Sequence, residues 1–300
     1  MEVSLMPGTF NVNWKHLLIA FLLLIGFIVC VKTLRTPFIR SSYDYQENYK
    51  KYTKNAPVLR VAIVSDLDTA SKDGKVWRAL VMTGTIFKQG DLYDFSKDGE
   101  FNVTSAINEK GRGMELSELL NYKGVLYGFD DRTGLVCEID MKQKKSFPRH
   151  ILMDGDLKSE KGMKIEWATV YKDKMVIGSI GKEFTTPTGE YLNDNPLFVK
   201  TIDTNGKVEA FNWKDKYHAL KKAVGIEGDG YFINEAVTYA ASKNKWYFAP
   251  RKCSNERYDD TKDETRACKY IISTSDFSTF DVLNDPQHDL SKGFSSIKVL

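Results

Sequence analysis

One pattern constrains this chain more than any other. A polar residue, a short apolar strand, a tight turn and a second strand recur along it. Glu115 to Gly128 (ELSELLNYKGVLYG), Lys164 to Gly178 (KIEWATVYKDKMVIG) and Asn234 to Phe248 (NEAVTYAASKNKWYF) carry the unit, and Gly293 to Leu300 (GFSSIKVL) begins it again. Aligned on Ser117, Glu166, Glu235 and Ser295, successive copies stand 49, 69 and 60 residues apart. A recurring unit of that size, made of strands, points to the blades of a β-propeller, with a β-sandwich as the alternative. The runs VLRVAIV, GVLYGF, LVCEI, MVIGSI, LFVKTI, WYFAP and KYIIST extend the all-β reading. Each is rich in Val, Ile, Tyr or Phe and bounded by turn-forming or charged residues. Only Lys214 to Val224 (KDKYHALKKAV) reads as a helix.

In a propeller the innermost strand of every blade lines one central channel. Oxygen-bearing side chains at equivalent places therefore converge on the axis. Glu166 and Glu235 have apolar neighbours, Ile165 with Trp167 and Ile233 with Ala236, which argues against solvated strand charge. Converging carboxylates and hydroxyls repel unless they hold a cation, and an all-oxygen shell favours Ca2+. Glu118, one position past Ser117, is expected to be a surface glutamate.

Forty-three basic against forty acidic residues leave a net charge of +3, which gives no general electrostatic case for nucleic acid. An anionic partner must then be held by a local cluster. GSIGKE at Gly178 lacks the spacing of a phosphate-binding P-loop, and Asp66-Leu-Asp68 and Asp154-Gly-Asp156 do not continue into a calcium-binding EF-hand loop. Four histidines without pattern make a Ser-His-Asp nucleophile improbable.

The N-terminus carries fifteen uncharged apolar residues, Leu17 to Val31, after a short tail at 1–16. A bilayer span takes about 20 residues, so 17–31 is expected to be a short signal anchor. A cleaved signal peptide is the alternative, although the sequence after the run lacks a good small-residue cleavage site. Residues 32–57 read as a polar stem, and 58–300 as the propeller domain. Lys32, Arg35 and Arg40 after the apolar run, against Lys15 before it, would place the body in the cytosol. The glycosylation sequon at Asn102 argues for the lumen of the endoplasmic reticulum or Golgi, or for secretion. Cys253 and Cys268 flank the polar loop SNERYDDTKDETRA and could be joined across a hairpin, leaving Cys137 as a buried thiol.

The blocks EKGRGMELSEL, DDRTG, KGMKIEWATV, GKEFTTPTGE, PLFVK, ALKKAVGI, GYFINEAV and PRKCSNERYDDTKDE resemble the calcium-activated nucleotidases, the apyrases, from about Val61 to the last residue. The resemblance implies a five-bladed β-propeller that hydrolyses nucleoside di- and triphosphates with an axial Ca2+. By motif, the ligands would be Ser117, Glu166, Glu235 and Ser295, the four positions that the repeat marks. Asp66 in SDLDT and Asp131 in DDRTG match acidic residues of the family's active site. Arg112, in the Gly-Arg-Gly turn, and Arg132 are the first candidates to bind phosphate; Lys161, Lys182 and Arg251 follow. Oligomeric state is left open.

Two positions depart from the family. Members continue past GFSS with a fifth axial acid, so the chain is expected to be C-terminally truncated, with its last blade incomplete. A catalytically impaired or non-catalytic nucleotide-binding form is therefore the alternative reading. Leu157 stands where the family often has Gly in a DGDG turn.

Overall fold

A computed structural model describes residues 58–89 and 92–299. The tail, the candidate anchor and the stem expected at 1–16, 17–31 and 32–57 lie outside the described residues. The fold is a β-propeller, nearly all β, and four blades are described.

In the first blade, β1 (Val58–Ser65) and the short β2 (Lys72–Asp73) share one edge of β3 (Val76–Gln89), and β4 (Leu92–Ser105) pairs the other edge. The second is a four-stranded meander of β5 (Leu116–Tyr122), β6 (Val125–Asp130), β7 (Leu135–Asp140) and β8 (Lys145–Ile151). The third has β9 (Trp167–Tyr171) and β10 (Lys174–Gly178), then a hairpin of β11 (Phe184–Thr185) and β12 (Tyr191–Asn193) that leaves the sheet. It is completed by β13 (Phe198–Ile202) and β14 (Val208–Asn212). Helix α1 (Lys214–Ala223) follows, packing Tyr217 and Leu220 inward. Beyond β15 (Tyr231–Ile233), the fourth blade is built from β16 (Ala236–Ala240), β17 (Lys245–Ala249), β19 (Tyr270–Thr274) and β20 (Asp281–Asn284). Between them β18 (Lys252–Ser254) pairs with β15, and the short helix α2 (Asp260–Asp263) sits in the loop. Five blades were expected; among the described residues, 285–299 add no strand to these four.

The innermost strands follow one another, β1 against β5, β5 against β9 and β9 against β16. The three hydrophobic cores lie between blades rather than within them. Trp77, Val81 and Val103 meet Leu116, Leu135 and Cys137 at the first junction. Phe129 and Val136 meet Ile165, Met175 and Ile177 at the second. The third gathers Trp167, Leu197 and Trp213 with Val237, Trp246 and Phe248. Alternate strand residues point to opposite faces, so each sheet can serve two junctions at once.

A disulfide joins Cys253 to Cys268, with Cα atoms 5.1 Å apart, and Cys137 is a free, buried thiol. Asn102 lies exposed on β4. Leu157 adopts φ 75°, a conformation that suits glycine.

Candidate active site

Loops at one end of the inner strands bring the charges together. Glu109 and Arg112 exchange two backbone hydrogen bonds, closing a tight turn over Lys110 and Gly111, both at positive φ. That is the backbone signature of a type I′ turn. A Cβ at Gly113 would lie 2.5 Å from the Ile107 carbonyl oxygen, so only glycine lets the chain pass. The indole of Trp77 donates to the Gly111 carbonyl at 2.9 Å and holds the turn down.

Asp130 ties this turn to the next. Its fully buried carboxylate accepts from the backbone N–H of Met114 and Arg132 and from the Thr133 hydroxyl, each at 2.8 Å. Met114 is held at φ 56° with no exposed surface. Strained backbone of that kind persists where its surroundings over-determine it. Asp131 follows directly, and its N–H donates to the Glu115 carbonyl at 3.0 Å.

The result is a charged cluster. Carboxylate oxygens of Asp66, Glu115 and Asp131 lie within 4.8 Å of one another. Arg112 forks onto Glu115 and also bonds Asp68. Oδ1 of Asp131 is buried without a hydrogen-bond partner. Partial burial raises the Asp66 carboxyl to about 6, with the nearby Asp131 and Glu115 adding to the rise, although the residue keeps an exposed surface. Lys164 bridges Asp131 and Glu166, its ammonium 2.9 Å from the latter. Glu166 is 4% exposed, and Arg251 pairs with Glu235 at 2.6 Å. Burial raises both Glu166 and Glu235, and Asp131 raises each further; Lys164 and Arg251 oppose the rise.

The structure thus gathers Asp66, Asp131, Arg112, Glu166, Glu235 and Arg251 into one neighbourhood. Arg132 is nearby, 3.7 Å from Glu109. Lys161 lies over the Phe184 ring, whereas Lys182 donates to the Glu183 carbonyl and the Thr185 hydroxyl beneath Tyr258. Ser117 is the extra residue of a bulge between β5 and β6, and bulges re-aim a side chain. Ser295 is exposed, in a segment whose Gly293 packs on Arg251 and whose Ser296 bonds Glu118. Glu118 corrects the surface reading: it is 2% exposed and accepts from Lys298 at 2.6 Å. Sequence reasoning missed Asp68, Glu115, Lys164 and Lys298 as partners of these charges. Glu115 and Lys164 stand beside marked positions, which is the one signal the sequence offers for them.

A model of the apyrase family matches residues 66–300. The chain belongs to the apyrase family. It is 37% identical over 291 residues to an apyrase of Caenorhabditis elegans, with 92% of this chain and 81% of that protein covered. It is 39% identical to the soluble calcium-activated nucleotidase 1 of Rattus norvegicus over 247 residues, 80% of this chain and 61% of that protein. An apyrase of Cimex lectularius is 40% identical over 240 residues, 75% of this chain and 65% of that protein. In this apyrase-family chain, then, the repeat marks Glu166 and Glu235, the resemblance marks Asp66 and Asp131, and the geometry adds the Glu115 carboxylate beside them.

Proposed function

We propose that this chain is a calcium-dependent nucleotidase. It would hydrolyse nucleoside diphosphates such as UDP, GDP and ADP, and triphosphates, to the monophosphate and phosphate. The observation that carries the reading is the acidic trio of Asp66, Glu115 and Asp131 beside Arg112. The name of the rat relative supports the dependence on calcium.

The donor set fits a hard divalent cation. Glu166, Glu235, Ser117 and Ser295 offer oxygen ligands alone, and the Lys164 ammonium already sits beside the buried Glu166 carboxylate, where positive charge is favoured. Glu166 and Glu235, with the hydroxyls of Ser117 and Ser295, would hold Ca2+. Bound there, Ca2+ supplies a Lewis acid for the phosphoryl oxygens.

The chain's own residues do the rest. Arg112 and Arg132 bind phosphate oxygens through planar, charged hydrogen-bond forks. Asp131 orients a water, and Asp66 accepts its proton. The water oxygen bonds to the terminal phosphorus as its bond to the bridging oxygen breaks, releasing phosphate; a diphosphate leaves the monophosphate, and a triphosphate leaves the diphosphate, which undergoes a second round. In the calcium-free protein the Asp66 carboxyl stands at about 6, so it is mainly ionised at neutral pH and able to take a proton.

We place the body in the lumen of the endoplasmic reticulum or Golgi, anchored by 17–31 or released after cleavage, where clearing UDP or GDP supports glycosylation. Its support is the exposed Asn102 sequon. Glycosidase treatment should raise the gel mobility of the expressed protein. Unchanged mobility, with the body open to protease in intact microsomes, would refute the placement.

A non-catalytic calcium- or nucleotide-binding propeller is the second reading, favoured by the ion pairs that already neutralise Glu166 and Glu235. Phosphate release from UDP by the full chain, with Ca2+ compared against Mg2+, decides between them. Release that needs Ca2+ supports the nucleotidase; saturable calcium binding without release supports the second reading.

A further inference from the structure

A cleft of about 440 Å3 lies between the third and fourth blades. Glu166 precedes the first residue of β9, whereas Tyr171, its last residue, lines the cleft. The cleft therefore stands at the opposite end of the inner strand from the acidic rim.

Its walls are aromatic and braced. Trp213 meets Trp246 edge to face at 5.2 Å and Phe277 at 5.4 Å, and Tyr171 lies 5.3 Å from Trp246. Rings that fix one another present rigid faces, and little side-chain freedom is lost when a ligand enters.

Its rim is cationic. Three lysines, Lys172, Lys174 and Lys216, stand there against one acid, Asp276. Lys174 is tied to Glu209 at 3.0 Å, and the Asp276 carboxylate accepts the N–H groups of Ser278 and Thr279. Among the described residues, Lys172 and Lys216 form no ion pair. The Lys216 ammonium lies 4.6 Å over Trp213, and burial holds it below the ordinary lysine range. In the wall, Thr201 is 9% exposed and its hydroxyl oxygen has no hydrogen-bond partner.

We propose that this cleft is a second ligand site, for a small planar aromatic molecule bearing a negatively charged group. The ring would lie against Trp213, Trp246 and Phe277, the anionic group would reach Lys216 and Lys172, and the Thr201 hydroxyl would meet a polar atom. A volume of this order suits a molecule of one or two rings. A purely apolar ligand would leave the Lys216 and Lys172 ammonium groups with no partner but the Trp213, Phe277 and Tyr171 rings they lie over, and a simple anion would leave the aromatic walls wet.

The test uses anilinonaphthalene sulfonate with the full chain, followed by dye fluorescence and by titration calorimetry. One dye per chain is expected. Lys216→Glu and Lys172→Glu should each weaken binding about tenfold or more, since each turns a charged hydrogen bond into a repulsion. Thr201→Val should weaken it less, and the neutral phenylnaphthylamine should bind more weakly than the sulfonate. Glu166→Gln, at the other end of β9, should bind dye as the parent does. Unchanged affinity in either folded lysine variant, or equal affinity for the neutral dye, would overturn the proposal. The lysines are on the rim, so either folded variant is enough for the test.

Discussion

Lys164 and Glu166 form an ion pair 2.9 Å long, in which the carboxylate is almost wholly buried and the ammonium also holds Asp131. Removing either partner has opposite consequences for the charge left behind. Lys164→Gln leaves two acids facing each other and should cost about 2 kcal/mol in calcium-free buffer. That is below the range for fully buried pairs because the lysine side chain is 43% exposed. Added Ca2+ should recover much of the loss. Glu166→Gln should instead weaken calcium binding, read by titration calorimetry; an unchanged affinity would remove Glu166 from the ligand set.

Glu118 accepts from Lys298 and from the Ser296 hydroxyl, far along the chain. Glu118→Gln is expected to lower stability by about 1–3 kcal/mol, the range for disturbing a buried charged hydrogen bond. Glu100, 49% exposed, serves as the comparison and should change stability by about 0.5 kcal/mol at most. Urea denaturation of the two variants separates the cases.

Lys200 is wholly buried on β13 without a hydrogen-bond partner, and burial pulls its pKa down to about 8. Near neutral pH it is protonated in both states, so folding must bury its charge. Between about 8 and its ordinary value the unfolded chain binds the proton more tightly, so this group's contribution to stability rises with pH. Lys200→Met should therefore be more stable than the parent at pH 7 by about 3 kcal/mol. The difference should shrink toward pH 10. A constant gap across that range in urea titrations would contradict it.

The Cys253–Cys268 bridge closes a loop with a sequence separation of 15. Reduction, or Cys253→Ser, should cost about 3 kcal/mol in the chain-entropy view. Peptide mapping without reductant should recover the two cysteines linked; alkylation of both as free thiols would remove the claim.

Leu157 carries φ 75°, a conformation that favours glycine. Leu157→Gly should stabilise the protein by about 1 kcal/mol, because the side chain's clash with its own backbone disappears. A lower melting temperature would show that Leu157 packing outweighs that strain.

The strand units were legible because each inner hairpin repeats one sequence pattern. Glu115 to Gly128 became β5 and β6, Lys164 to Gly178 became β9 and β10, and Asn234 to Phe248 became β16 and β17. β4 was not legible. Its first seven residues are exposed and polar-rich, so no apolar period betrays a strand that the long edge of β3 holds by backbone pairing. In the rim, single charges could be named, yet their partners could not. Lys164 reaches Asp131, and Lys298 reaches Glu118, across separations that only the ring of blades brings together. Lys200 was unreadable for the same reason: within PLFVKTI nothing distinguishes a strand lysine that faces water from one that faces inward.

The placement of the tryptophans has an optical consequence. Of the five in the chain, Trp167, Trp213 and Trp246 crowd the third junction, while Trp77 alone marks the first. Intrinsic emission during unfolding will be weighted toward the parting of the third and fourth blades. A melting curve followed that way reports one seam of the molecule, and a cysteine-reactive dye directed at buried Cys137 would watch the other end independently. If the two signals part company on heating, the blades come apart in sequence and not as one.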